Sequence, residues 1–163
     1  MIVMKGNLLH SPIQIWAHQV NCMSVMGAGV AKQIKQMYPE VYNAYVQYTK
    51  DYIACNDAPP LGECFTYQTD DETHWILNVY GQNQYGTSTR QTDYEALKKG
   101  LYSGICQLQH EFCAGEYPYE LQLVIAIPYK IGCGLAGGDW EVVKGILEEI
   151  ELAVNVLFVA YEL

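Results

Sequence analysis

The residues best placed for chemistry lie in two glycine-rich stretches, Asn21–Gly29 and Ile131–Gly138. The second follows a β-branched run, Leu121–Pro128, that predicts a buried strand. It precedes Trp140, Val143, Ile146, Leu147 and Ile150 at helical spacing, with Asp139 placed as N-cap. Strand, glycine loop and helix N-terminus together make an anion site. Glycines let the backbone approach closely, and free N–H groups with the helix dipole favour phosphate. A flexible turn is the plainer reading of the same residues. The spacing Gly132-x-Gly134-x-x-Gly137 also matches a dinucleotide fingerprint, which needs an acid about 20 residues on, at the end of the next strand. Here the loop lies near the C-terminus and Glu151 still falls at the end of the predicted helix, so that fingerprint fits poorly.

The elements that position these loops alternate along the chain. Ile2–Lys5 predicts a first strand with a turn at Gly6-Asn7, and Ile13–Val20 a second strand around the polar His18. After the first glycine loop, Val30, Ile34, Met37, Val41, Tyr45, Tyr48 and Tyr52 step by threes and fours, divided into two helices by Pro39. Glu63–Gln68 and Trp75–Tyr80 predict strands, and Gly81–Arg90 a polar surface loop of functional length. Thr92-Asp-Tyr-Glu95 predicts a capping box opening a helix whose core face is Tyr94, Leu97, Leu101, Ile105, Leu108 and Phe112. Val154–Ala160 predicts the last strand. This alternation predicts one α/β domain over residues 1–163, a three-layer α/β/α sandwich. Loops then gather at one sheet edge, where the two glycine loops face each other; two phosphate cradles in one crevice imply a diphosphate ligand.

Composition limits the partners. A net charge of −9 argues against binding nucleic-acid backbone or an anionic membrane by electrostatics, so a polyanionic ligand needs a local pocket of N–H groups. No apolar run approaches the ~20 residues of a membrane helix. Cys22, Cys55, Cys64, Cys106, Cys113 and Cys133 form no CxxC pair, and Met1–Lys5 already reads as a strand rather than a signal peptide. Free thiols and a cytoplasmic location are expected. His10, His18, His74 and His110 lack zinc-type spacing, and no metal or cofactor is expected.

Four motifs in register carry a family resemblance. Lys5-Gly6-Asn7-Leu8-Leu9, His18-x-x-Asn21-Cys22, Met26-Gly27-Ala28-Gly29-Val30-Ala31 and Ile131-Gly-x-Gly-Leu-x-Gly-x-x-Trp140 follow the order of the macrodomain family. The chain resembles these α/β/α modules, which bind ADP-ribose around a central mixed sheet, nearly end to end. It looks most like the branch with the yeast-type ADP-ribose 1″-phosphate phosphatase and terminal ADP-ribose glycohydrolase. The resemblance implies that Gly6, Asn7, Leu8 and Leu163 line the adenine end. Met26, Gly27, Ala28, Gly29, Val30 and Ala31, with Gln19 and Asn21, would embrace the diphosphate and distal ribose from one side. Ile131, Gly132, Cys133, Gly134, Leu135, Ala136 and Gly137 would close from the other.

The resemblance implies chemistry as well. The leading expectation is metal-independent hydrolysis of the terminal phosphate of ADP-ribose 1″-phosphate, with His18 as base and Asn21 at the distal ribose. His18 equally reads as a strand histidine bonded to a backbone carbonyl. Asp139 reads as a helix cap or as a group that orients water. Cys22 and Cys133 read as buried small hydrophobes or as nucleophiles. Tyr80 and Tyr85 could cover the ligand, and Arg90 could meet a terminal phosphate. The alternatives are a hydrolase that removes mono-ADP-ribose from protein or nucleic acid, and a non-catalytic reader. One departure bears on mechanism. The glycohydrolase branch that acts on carboxylate-linked ADP-ribose uses a lysine and an aspartate, where this chain reads Val79-Tyr-Gly-Gln-Asn83 and Leu135-Ala136-Gly137. A lysine adduct is therefore not expected.

Overall fold

The computed structural model describes residues 1–113 and 121–163. Its strands are β1 (Ile2–Lys5), β2 (Ile15–Asn21), β3 (Cys64–Gln68), β4 (Trp75–Gln82), β5 (Leu123–Pro128) and β6 (Val156–Glu162). They form one sheet in the order β1-β6-β5-β2-β4-β3. Neighbours are parallel except β3, which runs antiparallel to β4, giving the expected mixed sheet. Helices α1 (Gly29–Met37) and α2 (Pro39–Asn56) cover one face; α3 (Tyr94–Cys113) and α4 (Trp140–Ala153) cover the other. No helix among the described residues is long and apolar enough to cross a membrane.

Strand alternation sorts the core onto the two faces. Trp16 and Ile76 meet Ile34, Tyr38 and Val41 from the α1–α2 layer. Ala17, Leu77 and Val79 meet Leu97, Leu101, Ile105, Val143 and Leu147 from the α3–α4 layer. Central strands buried on both sides explain the nearly continuous hydrophobic runs of β2, β4 and β5. Pro39 occupies the first turn of α2, where its missing N–H costs nothing, so one periodic stretch becomes two helices.

Two details of α3 differ from expectation. Asp93, not Thr92, caps the helix: its carboxylate accepts from the Ala96 N–H at 3.0 Å. Phe112 lies 41% exposed and meets Trp75 edge-on rather than joining the core. The buried face is instead completed by Ala96, Gly100 and Gly104, a small-residue stripe that draws α3 onto β3. A Cβ on Gly104 would stand 2.5 Å from Cys64 Sγ.

The C-terminal ends of the parallel strands converge, as ligand-binding α/β folds require. β2 begins at Ile15 rather than Ile13 and runs through Asn21; β4 extends past Tyr80 to Gln82. Between them the register shifts: Val20 pairs with Tyr80 but Asn21 with Gln82, leaving Gly81 as the extra residue of a bulge.

Candidate functional site

Both glycine loops open onto one groove at this sheet edge. Its larger hollow, about 400 Å³, runs from Asn21 and Val25 past Gly27, with Tyr85, Gly86 and Thr87 at its rim. A neighbouring hollow of about 240 Å³ lies between Ala28–Ala31 and Tyr129–Ala136, bordered by His18. The two share Gln19, Ala28, Ala31, Gln82, Leu135 and Ala136. A third, about 200 Å³, continues from Val30 and Tyr129 to Asn7, Leu8, Tyr161 and Leu163. The structure therefore brings both loops and both chain ends to one continuous groove.

Backbone donors line its middle. Ala28 is the N-cap of α1 and supplies no side-chain acceptor, whereas Asp139 caps α4 and Asp93 caps α3. Among the described residues the N–H groups of Gly29, Val30 and Ala31 have no acceptor and stand at the positive end of the helix. Across the groove, the N–H groups of Ile131, Cys133, Gly137 and Gly138 are spent on carbonyls within the loop. Those of Gly134, Leu135 and Ala136 have no acceptor among the described residues. Neither of the two larger hollows is lined by Asp or Glu, and Lys130 is the one Lys or Arg lining them, although the chain carries net charge −9. Two facing rows of free N–H groups away from carboxylates suit a diphosphate.

Asn21 organises the first loop from within. Its Oδ1 accepts from Met23 N at 3.0 Å and Val25 N at 3.3 Å, and its Nδ2 donates to Val25 O at 2.8 Å. The Tyr45 hydroxyl, buried beneath, donates to Asn21 O at 2.6 Å. Asn21 still lines the larger hollow and keeps one amide hydrogen free for a ligand.

His18 is a buried, neutral ring. Its Nε2 stands 2.8 Å from Asn78 Oδ1, and Asn78 Nδ2 donates to Phe65 O at 3.1 Å, so the amide orientation places the proton on Nε2. Burial, only partly offset by the Asn78 bond, lowers its pKa to about 4. Nδ1 has no partner among the described residues. The imidazole holds a lone pair at neutral pH but is a far weaker base than an exposed histidine.

Several expected site residues stand elsewhere. Asp139 is exposed, outside the groove lining, and its carboxylate accepts from Glu141 N at 2.8 Å as a cap. Met26 is buried with Val20, Cys22, Tyr45 and Tyr80, because the staple at Asn21 turns it under the loop. Tyr80 lies in that same cluster and bonds Thr49 instead of covering a ligand. Cys133 turns its thiol to Ile131 O, and burial raises its pKa to about 11; burial pushes Cys22 to about 12. Both are protonated at neutral pH and pack as small hydrophobes. Arg90 lies over the Tyr94 ring at 4.6 Å, with the neighbouring Gly137 outside the lining. Gly6 donates to Glu162 O at the edge of the sheet. Asn7 caps a one-turn 3-10 helix through Leu9 N at 3.0 Å while also lining the third hollow.

Other residues enter the site without having been expected there. Gln82 lines both larger hollows, and Thr92 stands behind the second glycine loop, its hydroxyl bonded to Gly132 O at 2.5 Å. The sequence signal for Thr92 is masked because Thr-x-x-Glu reads locally as a capping box.

Comparison with known proteins follows the same line. The family model described as Macro domain matches residues 17–147. A DNA ADP-ribosyl glycohydrolase of Thermus aquaticus is 31% identical over 97% of this chain, which spans 40% of that relative's length. An ADP-ribose 1″-phosphate phosphatase of Aspergillus oryzae is 24% identical over 89% of this chain and 86% of the relative. The solved macrodomain of Thermus aquaticus DarG superposes with a TM-score of 0.75 at 26% identity, covering 99% of this chain and 97% of that one.

Proposed function

The chain belongs to the Macro domain family, and from that premise we propose that it binds ADP-ribose and hydrolyses the bond joining the distal ribose to a macromolecular carrier. An ADP-ribosylated nucleobase in DNA is the carrier that fits best. Adenine would occupy the hollow at Asn7, Leu8 and Leu163, and the diphosphate the facing N–H rows. The distal ribose would enter the larger hollow beside Asn21.

One observation carries this reading: the larger hollow is lined by no charged side chain. A terminal phosphomonoester would add a charge of about −1.5 to −2 at neutral pH beyond that of the diphosphate, and no Lys or Arg lines the larger hollow to meet it once the two N–H rows are taken. Here the walls are the amides of Gln19, Asn21 and Gln82, and the rim is Tyr85 and Leu135, exposed by 58% and 60%. Such a mouth suits a neutral ring. The Thermus relative named as a DNA ADP-ribosyl glycohydrolase supports the same choice, and the phosphatase of the initial expectation becomes the second reading.

The reaction adds a water oxygen to C1″ of the ribose. The C1″–N bond breaks with its electron pair going to the base, and a proton from water reaches that nitrogen. The chain contributes placement. N–H groups fix the diphosphate, so the distal ribose is held in the larger hollow, and the free Asn21 amide hydrogen orients the ribose or the water. No lysine stands between Val79 and Asn83 to form an adduct. With net charge −9, DNA is held through its ADP-ribose and not through its backbone.

The test is parallel incubation with an ADP-ribosylated oligonucleotide and with ADP-ribose 1″-phosphate, following free ADP-ribose and free phosphate. Release of ADP-ribose from the oligonucleotide with little phosphate release is expected. Phosphate release alone would install the phosphatase reading, and binding without either product would make the chain a reader.

A further inference from the structure

We propose that Gln19 is a positioning residue, the hub of a directional hydrogen-bond relay that ties the second glycine loop to the rim loop. Gln19 Nε2 donates to Gln82 Oε1 at 2.7 Å and to Thr92 Oγ1 at 2.9 Å. Gln82 Nε2 donates onward to Gln84 O at 2.7 Å, and the Thr92 hydroxyl onward to Gly132 O. Both ends are backbone carbonyls, which only accept, so the polarity of every link is fixed. A carbonyl at Gln84 turns the Gln82 amide nitrogen outward and its oxygen towards Gln19. A carbonyl at Gly132 takes the Thr92 hydrogen and leaves its oxygen to accept. Gln19 must therefore present two N–H donors, which a carboxamide supplies and a carboxylate does not.

The backbone is shaped around this amide. Gly81, the bulged residue of β4, and Gly132, at φ +72°, flank it. A Cβ would stand 2.5 Å from Gln19 Oε1 at Gly81 and 2.7 Å from it at Gly132. Oε1 is enclosed and has no donor among the described residues. Gln19 thus has neither a spare hydrogen nor an open oxygen to give a ligand, although it lines the groove. It acts through Thr92 on the loop that carries the free N–H groups of Gly134, Leu135 and Ala136, and through Gln82 on the loop that carries Tyr85.

The test separates the two arms. Hydrogen exchange of the Cys133, Gly137 and Gly138 amides, which donate to Lys130 O, Gly134 O and Gly132 O within the second glycine loop, reads the relay in ligand-free protein whether or not ADP-ribose is the ligand; ADP-ribose affinity by calorimetry rests on the proposed function. Thr92→Val keeps the shape and removes the hydroxyl. It is expected to speed exchange at all three amides and weaken ADP-ribose binding about tenfold, and Thr92→Ser should restore both. Gln19→Met should speed exchange there and also at the Cys22 amide, which donates to Asn83 O of the rim loop at 3.1 Å. In the Gln19→Met, Thr92→Val double variant the exchange effect at the glycine loop should not exceed that of Thr92→Val alone. Additive effects, or unchanged exchange in folded Thr92→Val, would overturn the relay. Faster exchange in Thr92→Val, in a protein whose wild type does not bind ADP-ribose, would sustain the relay and sink the ligand assignment. Should Gln19→Met fail to fold, the Val and Ser variants of Thr92 decide alone.

Discussion

Acidification should destabilise this protein through His18. The ring is buried, its Nε2 committed to Asn78, and its pKa falls from 6.5 to about 4 on folding. Between those values the unfolded chain binds a proton that the folded chain refuses, so stability falls as pH falls. The contribution is intact above pH 6.5 and lost progressively towards pH 4. At about 1.4 kcal/mol per pH unit, the loss reaches about 3 kcal/mol at pH 4, a large share of the stability of a small domain. His74 is also shifted down by burial and acts in the same direction. Asp71, held down to about 2 by the hydroxyls of Thr69 and Thr73, loses its contribution only below its ordinary 3.8. A difference measurement isolates His18. Urea unfolding of wild type and His18→Asn from pH 7 to 4 should give curves that converge by about 3 kcal/mol as pH falls, or cross, whatever the absolute stability of the variant. Parallel curves would refute the buried neutral ring.

Four further outcomes follow from the site. If His18 stays neutral, kcat/KM should show no inflection near pH 6.5; one that disappears in His18→Asn would return a titrating His18 to the mechanism. Gly134→Glu should abolish ADP-ribose binding in calorimetry with the fold intact, because a Cβ there meets nothing within 4 Å and the carboxylate would compete with phosphate; retained affinity would displace the anion site. Asp139→Ala should cost about 1 kcal/mol of stability as a lost cap and leave turnover unchanged; reduced kcat at unchanged affinity would bring Asp139 back into the chemistry. Tyr85→Ala should raise KM for an ADP-ribosylated oligonucleotide about tenfold through lost stacking while leaving ADP-ribose affinity alone, and equal losses on both ligands would place Tyr85 on the ribose instead.

The architecture was legible because it rests on local signals. β-branched runs marked the central strands, Pro39 marked the break between α1 and α2, and Asp139 before Trp140 marked the start of α4. The convergence of two glycine loops was legible too, since parallel strands joined by helical crossovers bring their C-terminal ends to one edge. What escaped were side chains whose neighbours are distant in sequence. Met26 and Tyr80 look like ligand-facing residues until the Asn21 staple and α2 bury them together. Thr92 and Asp93 both qualify as caps by type, and the choice is made by Gly132, whose carbonyl takes the Thr92 hydroxyl. Arg90 looked like a phosphate partner, and the Tyr94 ring takes it instead. Periodicity assigns a residue to a face; it carries no information about which loop will arrive opposite.

The bare N-terminus of α1 has an evolutionary consequence. Ala28 already has the extended backbone of a capping residue, at φ −149° and ψ 168°. Aspartate there would satisfy the idle N–H groups and stabilise the empty protein by about 1 kcal/mol, the kind of gain selection for stability alone would find easily. In the proposed binding mode the same carboxylate would occupy the seat of the diphosphate and make the protein its own inhibitor. The proposed ligand would then be the missing cap, and the empty protein remains less stable than its sequence could make it.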